Sequence, residues 1–162
     1  MRWHTWLKFY RYVWEWENYV LLARTWQAAR LVKGLLNAPS PSLKDSIVAV
    51  APCYLAPQTH WRISDPAKIY LFAHWMTGVP VDWASDEASD ERRCVQRSLV
   101  VYRLLNGYGI PTRVQFGIRR DDKTQPGHAW VYTLSEPQRA FGETENPLER
   151  FLPVFTSALP GT

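Results

Sequence analysis

Cysteine is scarce in this 162-residue chain: only Cys53 and Cys94 occur, far apart and outside any CxxC pattern. That spacing excludes a disulfide framework and gives no sign of a zinc site, and it fits a reducing, cytoplasmic setting. Long apolar runs are missing too. No stretch approaches the roughly 18 apolar residues of a membrane span, and the N-terminus lacks the apolar core and small-residue cleavage site of a signal peptide. Nor is there a large excess of one charge. The net charge is +4, and the basic residues are scattered instead of forming a block with its own aromatic platform, so nucleic acid is not indicated as a partner.

What remains is globular in composition, with 46% hydrophobic and 21% charged residues, enough for one compact domain with a real core. We divide it into residues 1–42, a Trp-rich helical extension with its linker, and residues 43–162, the main domain. Tryptophan is the compositional oddity. Five of the nine (Trp3, Trp6, Trp14, Trp16 and Trp26) fall near the N-terminus, interleaved with Arg2, Lys8, Arg11 and Arg24.

From about Trp6 to Leu36 no proline occurs, and Leu22, Trp26, Ala29, Val32 and Leu36 recur at helical spacing, opposite Arg24, Gln27, Arg30 and Lys33. This predicts an amphipathic helix, or two in series. Pro39 and Pro41 then mark a linker. Asp65 followed by Pro66 reads as a cap and first turn, opening a buried helix to about Thr77. The acidic segment Asp82 to Glu91 leads into another helix, from about Arg92 to Asn106, with Val95, Leu99, Tyr102 and Leu105 as its apolar stripe. Beyond Gly107 and Gly109 the period falls to two. Val114, Phe116 and Ile118 mark one strand, the polar stretch Arg120 to Gly127 a turn, and His128 to Leu134 a second strand. A third, short strand is expected near Arg139 to Phe141. Helices followed by an antiparallel sheet make the class α+β.

Cys94 falls at the start of the Arg92 helix, where exposed backbone N–H groups and the macrodipole favour a thiolate. Its own N–H is the expected donor to an oxyanion. His128 opens the second strand, so helix start and strand start can meet as nucleophile and base. The bland readings are a buried hydrophobic cysteine and a histidine packed beside Trp130. Cys53 has no charged neighbour and reads as structural. His4, His60 and His74 are weaker bases, being terminal, in a loop and inside an apolar helix. Arg97 is expected to bridge Glu91 or Asp90, and Ser98 to pack on the Cys94 face of the helix.

The ordered segments Arg93-Cys94-Val95-Gln96-Arg97-Ser98-Leu99, Tyr102-Arg103-Leu104-Leu105, Gly109-Ile110-Pro111, Phe116-Gly117-Ile118-Arg119 and Gly127-His128-Ala129-Trp130-Val131 resemble the lasso-peptide leader peptidases, transglutaminase-like cysteine proteases that process microcin-type precursors. The resemblance covers about Arg92 to Val131. It implies a transglutaminase-like (papain-like) core after N-terminal helices, Cys94 and His128 as a catalytic pair, and a ribosomally made precursor peptide as substrate. It further implies a leader-binding recognition protein and a lasso cyclase as partners, and hydrolysis without a metal or organic cofactor. One departure stands out. The family places an Asp on the strand after the His, whereas no Asp follows Asp122 here and Ala140 lies near that place. Among Glu136, Glu143 and Glu145, the run Phe141-Gly142-Glu143 best resembles that strand's end, which makes Glu143 the substitute third member; an exposed loop carboxylate is the alternative.

The Trp-rich N-terminus has three readings: packing on the core, docking a partner, and peripheral membrane contact. Two rival functions stay open, an acyltransferase or amidase using the same Cys-His pair and a noncatalytic peptide-binding module. If the catalytic reading holds, alkylation near neutral pH labels Cys94 faster than Cys53, as peptide mass spectrometry of the labelled protein would show; equal labelling removes the nucleophile.

Overall fold

The computed structural model describes residues 15–37, 47, 49–50, 65–78, 90–120, 127–137 and 139–157, with helix side chains described except at 78 and 90–92. The expectations about Trp3, Trp6, Trp14, His4, His60, Cys53, the Pro39–Pro41 linker, the acidic segment from Asp82 and the centre of the turn before Gly127 lie outside these residues, wholly or in large part.

Among the described residues three long helices come first: α1 (Trp16–Leu36), α2 (Ala67–Gly78) and α3 (Asp90–Gly107). In α1 the buried residues are Asn18, Leu21, Thr25, Ala28, Ala29 and Val32. The core face is therefore turned from the expected stripe: Leu22 and Leu36 are half-buried, and Trp26 points outward beneath the Arg30 guanidinium, 4.6 Å from the ring centroid. The small Ala28 and Ala29 allow close approach to α2 and α3, whereas an inward indole would hold the helices apart. Helix α2 starts as its sequence suggests, with the Asp65 Oδ1 accepting from the Ala67 N–H at 2.9 Å. Ile69, Phe72 and Ala73 then enter the core. Lys68, also buried, is paired with Glu15 at the foot of α1, as a buried charge must be.

Helix α3 departs from the single expected stripe. Leu99, Val100, Val101, Tyr102, Leu104 and Leu105 are all buried, because α1, α2, β1 and β2 pack around this half of the helix. Its end is closed by the Ile110 N–H donating to the Leu105 carbonyl, with Gly109 at φ 78°, the left-handed conformation that glycine takes without a Cβ penalty. Buried Asn106 then ties the helix to the sheet. Its Nδ2 donates to the Tyr102 carbonyl at 2.8 Å and to the Thr112 Oγ1 at 2.6 Å, and its Oδ1 accepts from the Thr112 N–H at 3.1 Å.

The sheet is antiparallel in the order β2-β1-β3, with β1 (Thr112–Arg119), β2 (His128–Thr133) and β3 (Phe151–Thr156); a short helix α4 (Pro147–Arg150) precedes β3. Val114, Phe116, Ala129 and Val131 carry the sheet's share of the core. The expected third strand at Arg139–Phe141 is only a single bridge, Tyr132 to Ala140, because Gly142 at φ 78° turns the chain out of extended geometry. The true third strand contains Pro153, which reads against a strand in sequence. It is tolerated because β3 lies outermost among the described strands and Pro153 pairs with Gly117 beside a register shift. The fold is α+β, three helices on a small antiparallel sheet.

Asn106→Ala is expected to destabilise the fold by roughly 1–3 kcal/mol, since it leaves the buried Thr112 N–H without its acceptor. Val154→Ala, at a position 59% exposed, should stay within about 0.5 kcal/mol. Urea denaturation of both variants would check the contrast.

Candidate active site

Cys94 leaves α3 half-buried, without a disulfide. Because the helix starts at Asp90, Cys94 sits in its second turn and not its first. The helical ladder engages its amide there, since only the first turn's N–H groups lack a partner inside the helix. The oxyanion role expected of that N–H accordingly has no open donor. One turn on, buried Ser98 donates from Oγ to the Ala129 carbonyl at 2.7 Å. Its packing role is thus a specific one: it ties the nucleophile's helix to the strand residue next to His128.

His128 begins β2 opposite Gly117, in hydrogen-bonding contact with Cys94. Its imidazole stacks on Phe151, with centroids 5.0 Å apart at 29°, and lies 6.0 Å from the Trp130 ring. Gly117 makes this wall possible. A Cβ there would lie 2.8 Å from the Trp130 ring and 2.9 Å from the Leu152 carbonyl oxygen.

Of the three candidate acids Glu136, Glu143 and Glu145, Glu143 is the one that faces His128, its Oε1 3.7 Å from the imidazole Nε2. Glu145 pairs with Arg150 at 3.1 Å, and Glu136 is exposed on the turn after β2. Tyr70 reaches Glu143 from α2, its hydroxyl donating to Oε1 at 3.3 Å. Arg97, one turn beyond Cys94, is in contact with Tyr70 and lends its charge to Glu143; the bridge to Glu91 or Asp90 suggested by its position involves side chains outside those described. His74 lies beside Tyr70, ring centroids 6.3 Å apart, and belongs to a cavity of about 740 Å³ that Tyr70, Phe141 and Glu143 also line. Tyr70, Phe151 and the inward turn of Arg97 were missed in the sequence; they lie on other elements or face inward only in the fold, and no local spacing reports them. Among the described residues, no three His, Cys, Asp or Glu side chains converge as a metal site.

Burial works against a charged imidazole, yet the hydrogen bond and charge of Cys94 and the close carboxylate of Glu143 outweigh it and push His128 up to about 9. Beside it, His128 holds the Glu143 carboxyl below the usual carboxylate range against the opposing effect of burial, with Tyr70 and Arg97 adding to the lowering. A thiol, an imidazole and a carboxylate in series can form a thiolate–imidazolium pair, in which the thiolate is the nucleophile and the imidazolium returns the proton to a leaving group.

An α+β core that sets a cysteine on a central helix against a histidine at a strand start defines a class of cysteine-dependent acyl-transfer folds. Residues 72–156, more than half of the chain, match the family model of the transglutaminase-like superfamily, and the chain belongs to that superfamily. It includes both cysteine peptidases and acyltransferases, and cysteine-dependent catalysis is common in it. No curated protein matches the chain, and neither does any solved structure. Among the described residues no helix is long and apolar enough to cross a membrane.

The coupled charges make stability depend on pH. The raised His128 contributes stability that is fully present below its ordinary value near 6.5 and is lost as pH rises through about 9. The lowered Glu143 contributes stability present above 4.5 and lost as pH falls through its depressed value. Glu143→Gln should therefore cost most stability near neutrality. Denaturation curves of wild type and variant should converge above pH 9; an undiminished gap there would show that the pair is not ionic.

Proposed function

We propose that the protein is a cysteine peptidase that hydrolyses the leader from a ribosomally made lasso-peptide precursor, with Cys94 as nucleophile, His128 as base and Glu143 as the residue orienting the imidazole. The observation that carries this reading is the convergence of Cys94, His128 and Glu143 from a helix, a strand and a loop, joined to the ordered motifs around the first two. Glu143 presents its carboxylate to Nε2, which leaves Nδ1 for the thiol. His128 takes the thiol proton, the thiolate attacks the scissile carbonyl, and the imidazolium then protonates the leaving amine as the peptide C–N bond breaks. Water, deprotonated by the same imidazole, hydrolyses the thioester and restores the thiol. An acyltransferase or amidase would share these steps up to the thioester, and product analysis separates them. A carboxylate beside Nε2 weighs against the noncatalytic module.

The leader-binding protein and the cyclase are proposed partners, acting with it in the cytoplasm. Their docking surface, in this reading, includes the outer face of α1, where Trp16, Tyr19 and Trp26 are 78%, 49% and 47% exposed on the side opposite Leu21 and Ala28. Large aromatic side chains are favoured anchors of protein interfaces; peripheral membrane contact is the other use of such a face. Deleting α1 would also remove Leu21, Ala28, Ala29 and Val32 from the core, so Trp16→Glu with Trp26→Glu is the cleaner way to test docking.

Mass spectrometry of a candidate precursor incubated with the protein and a leader-binding partner should show cleavage at one leader-core bond, abolished in Cys94→Ala and in His128→Ala. Cleavage persisting in Cys94→Ala would overturn the reading. For wild type, kcat/KM should fall as pH rises through about 9, where His128 loses the proton owed to the leaving amine.

A further inference from the structure

Glu143 stands in a loop, on a side chain with several rotatable bonds, and its Oε1 is 3.7 Å from the His128 Nε2, longer than a hydrogen bond. Something besides the imidazole must therefore hold the carboxylate in place. The adjoining backbone shows what does. At Gly142, φ is 78° and an added Cβ would lie 2.2 Å from the Tyr70 ring carbon Cγ. The Tyr70 ring thus lies flush against the backbone immediately before Glu143, in space that only glycine leaves open. From the same ring, the hydroxyl donates to the Glu143 Oε1 at 3.3 Å. Two contacts, one steric at Gly142 and one polar at Glu143, reach two adjacent loop residues from one α2 side chain.

We infer that Tyr70 is a positioning residue: its ring seats the Gly142 backbone and its hydroxyl fixes the Glu143 carboxylate toward His128, with Arg97 orienting the phenol in turn. The inference rests on the peptidase reading only for the consequence in turnover. A tyrosine hydroxyl can donate once and accept as well, so it can give its proton to Glu143 while receiving from the Arg97 guanidinium beside it. Burial keeps the phenol above its ordinary range, with Arg97 opposing and Glu143 reinforcing that shift, so it remains a donor wherever the enzyme works. The arrangement also ties the acid to the nucleophile's own helix, since Arg97 follows Cys94 by one turn of α3. Among the described residues, the charged or titratable groups around the His128 and Glu143 pair are Cys94 and Arg97 from α3 and Tyr70 and His74 from α2. Any change at Tyr70 is felt first through Glu143.

The test is Tyr70→Phe, which keeps the ring on Gly142 and removes only the hydroxyl. NMR titration of the His128 imidazole in wild type, Tyr70→Phe, Glu143→Gln and the double variant reads the coupling without any peptide substrate. The expected result is a lower His128 titration midpoint in Tyr70→Phe and no further lowering by that change once Glu143 is already Gln. With precursor as substrate, kcat should fall roughly tenfold, as expected for loss of a hydrogen bond to a charged group, at nearly unchanged KM. An unmoved His128 midpoint in Tyr70→Phe overturns the inference. So does an equal shift with and without the Glu143 carboxylate, since the hydroxyl would then act by another route. Failure of the peptidase reading would appear separately, as a wild type that cleaves no precursor while His128 titrates as described.

Discussion

Burial of the second half of α3, from Ser98 to Asn106 with Arg103 alone half-buried, is the constraint on which the other features depend. A helix with Leu99, Val100, Val101, Tyr102 and Leu105 all nearly inaccessible must be surrounded, and the sheet, α1 and α2 are placed by that requirement. Close packing leaves such a centre little freedom to shift, so Cys94 emerges from a helix anchored in the core. Short polar staples carry that rigidity outward. Asn106 fixes where β1 begins, and Ser98 fixes where β2 runs past the helix. His128 follows, one residue from the Ser98 contact.

The site is then a matter of electrostatics at moderate depth. A fully buried imidazolium would be neutralised by desolvation, and a fully exposed one would be screened. His128 lies between these limits, with a side chain 25% exposed and a carboxylate 29% exposed beside it, so the two charges interact without either being stripped of water. Aromatic rings from two strands, Trp130 and Phe151, cover the imidazole. Glycine at 117 and at 142 is what lets aromatic rings close on the backbone at both ends of the site.

Local reading succeeded where the chemistry is local. Asp65 and Pro66 announce the start of α2 because capping involves only the next few residues. Alternation in Val114 and Phe116 announces β1, and the glycines near 107 announce the end of α3. Reading failed where the deciding contact comes from elsewhere in the chain. Trp26 was assigned inward by its hydrophobicity, but the choice of buried face on α1 depends on which side chains are small enough for α2 and α3 to approach. The third strand, expected near Arg139 to Phe141, lies instead at Phe151–Thr156, where Pro153 is acceptable only because of where β3 lies in the sheet.

By itself, then, the sequence determined the α+β class, the helix and hairpin that carry Cys94 and His128, and the short set of acids from which a third group could come, since each follows from periodicity, turn chemistry and residue type within a short window. Tertiary structure decided which acid faces the histidine. It brought Tyr70 onto Glu143 across the fold, stacked Phe151 on His128, turned Arg97 inward and moved Cys94 into the second turn of its helix. These outcomes depend on the packing of residues distant in sequence, and packing is a property of the assembled core that no single segment contains.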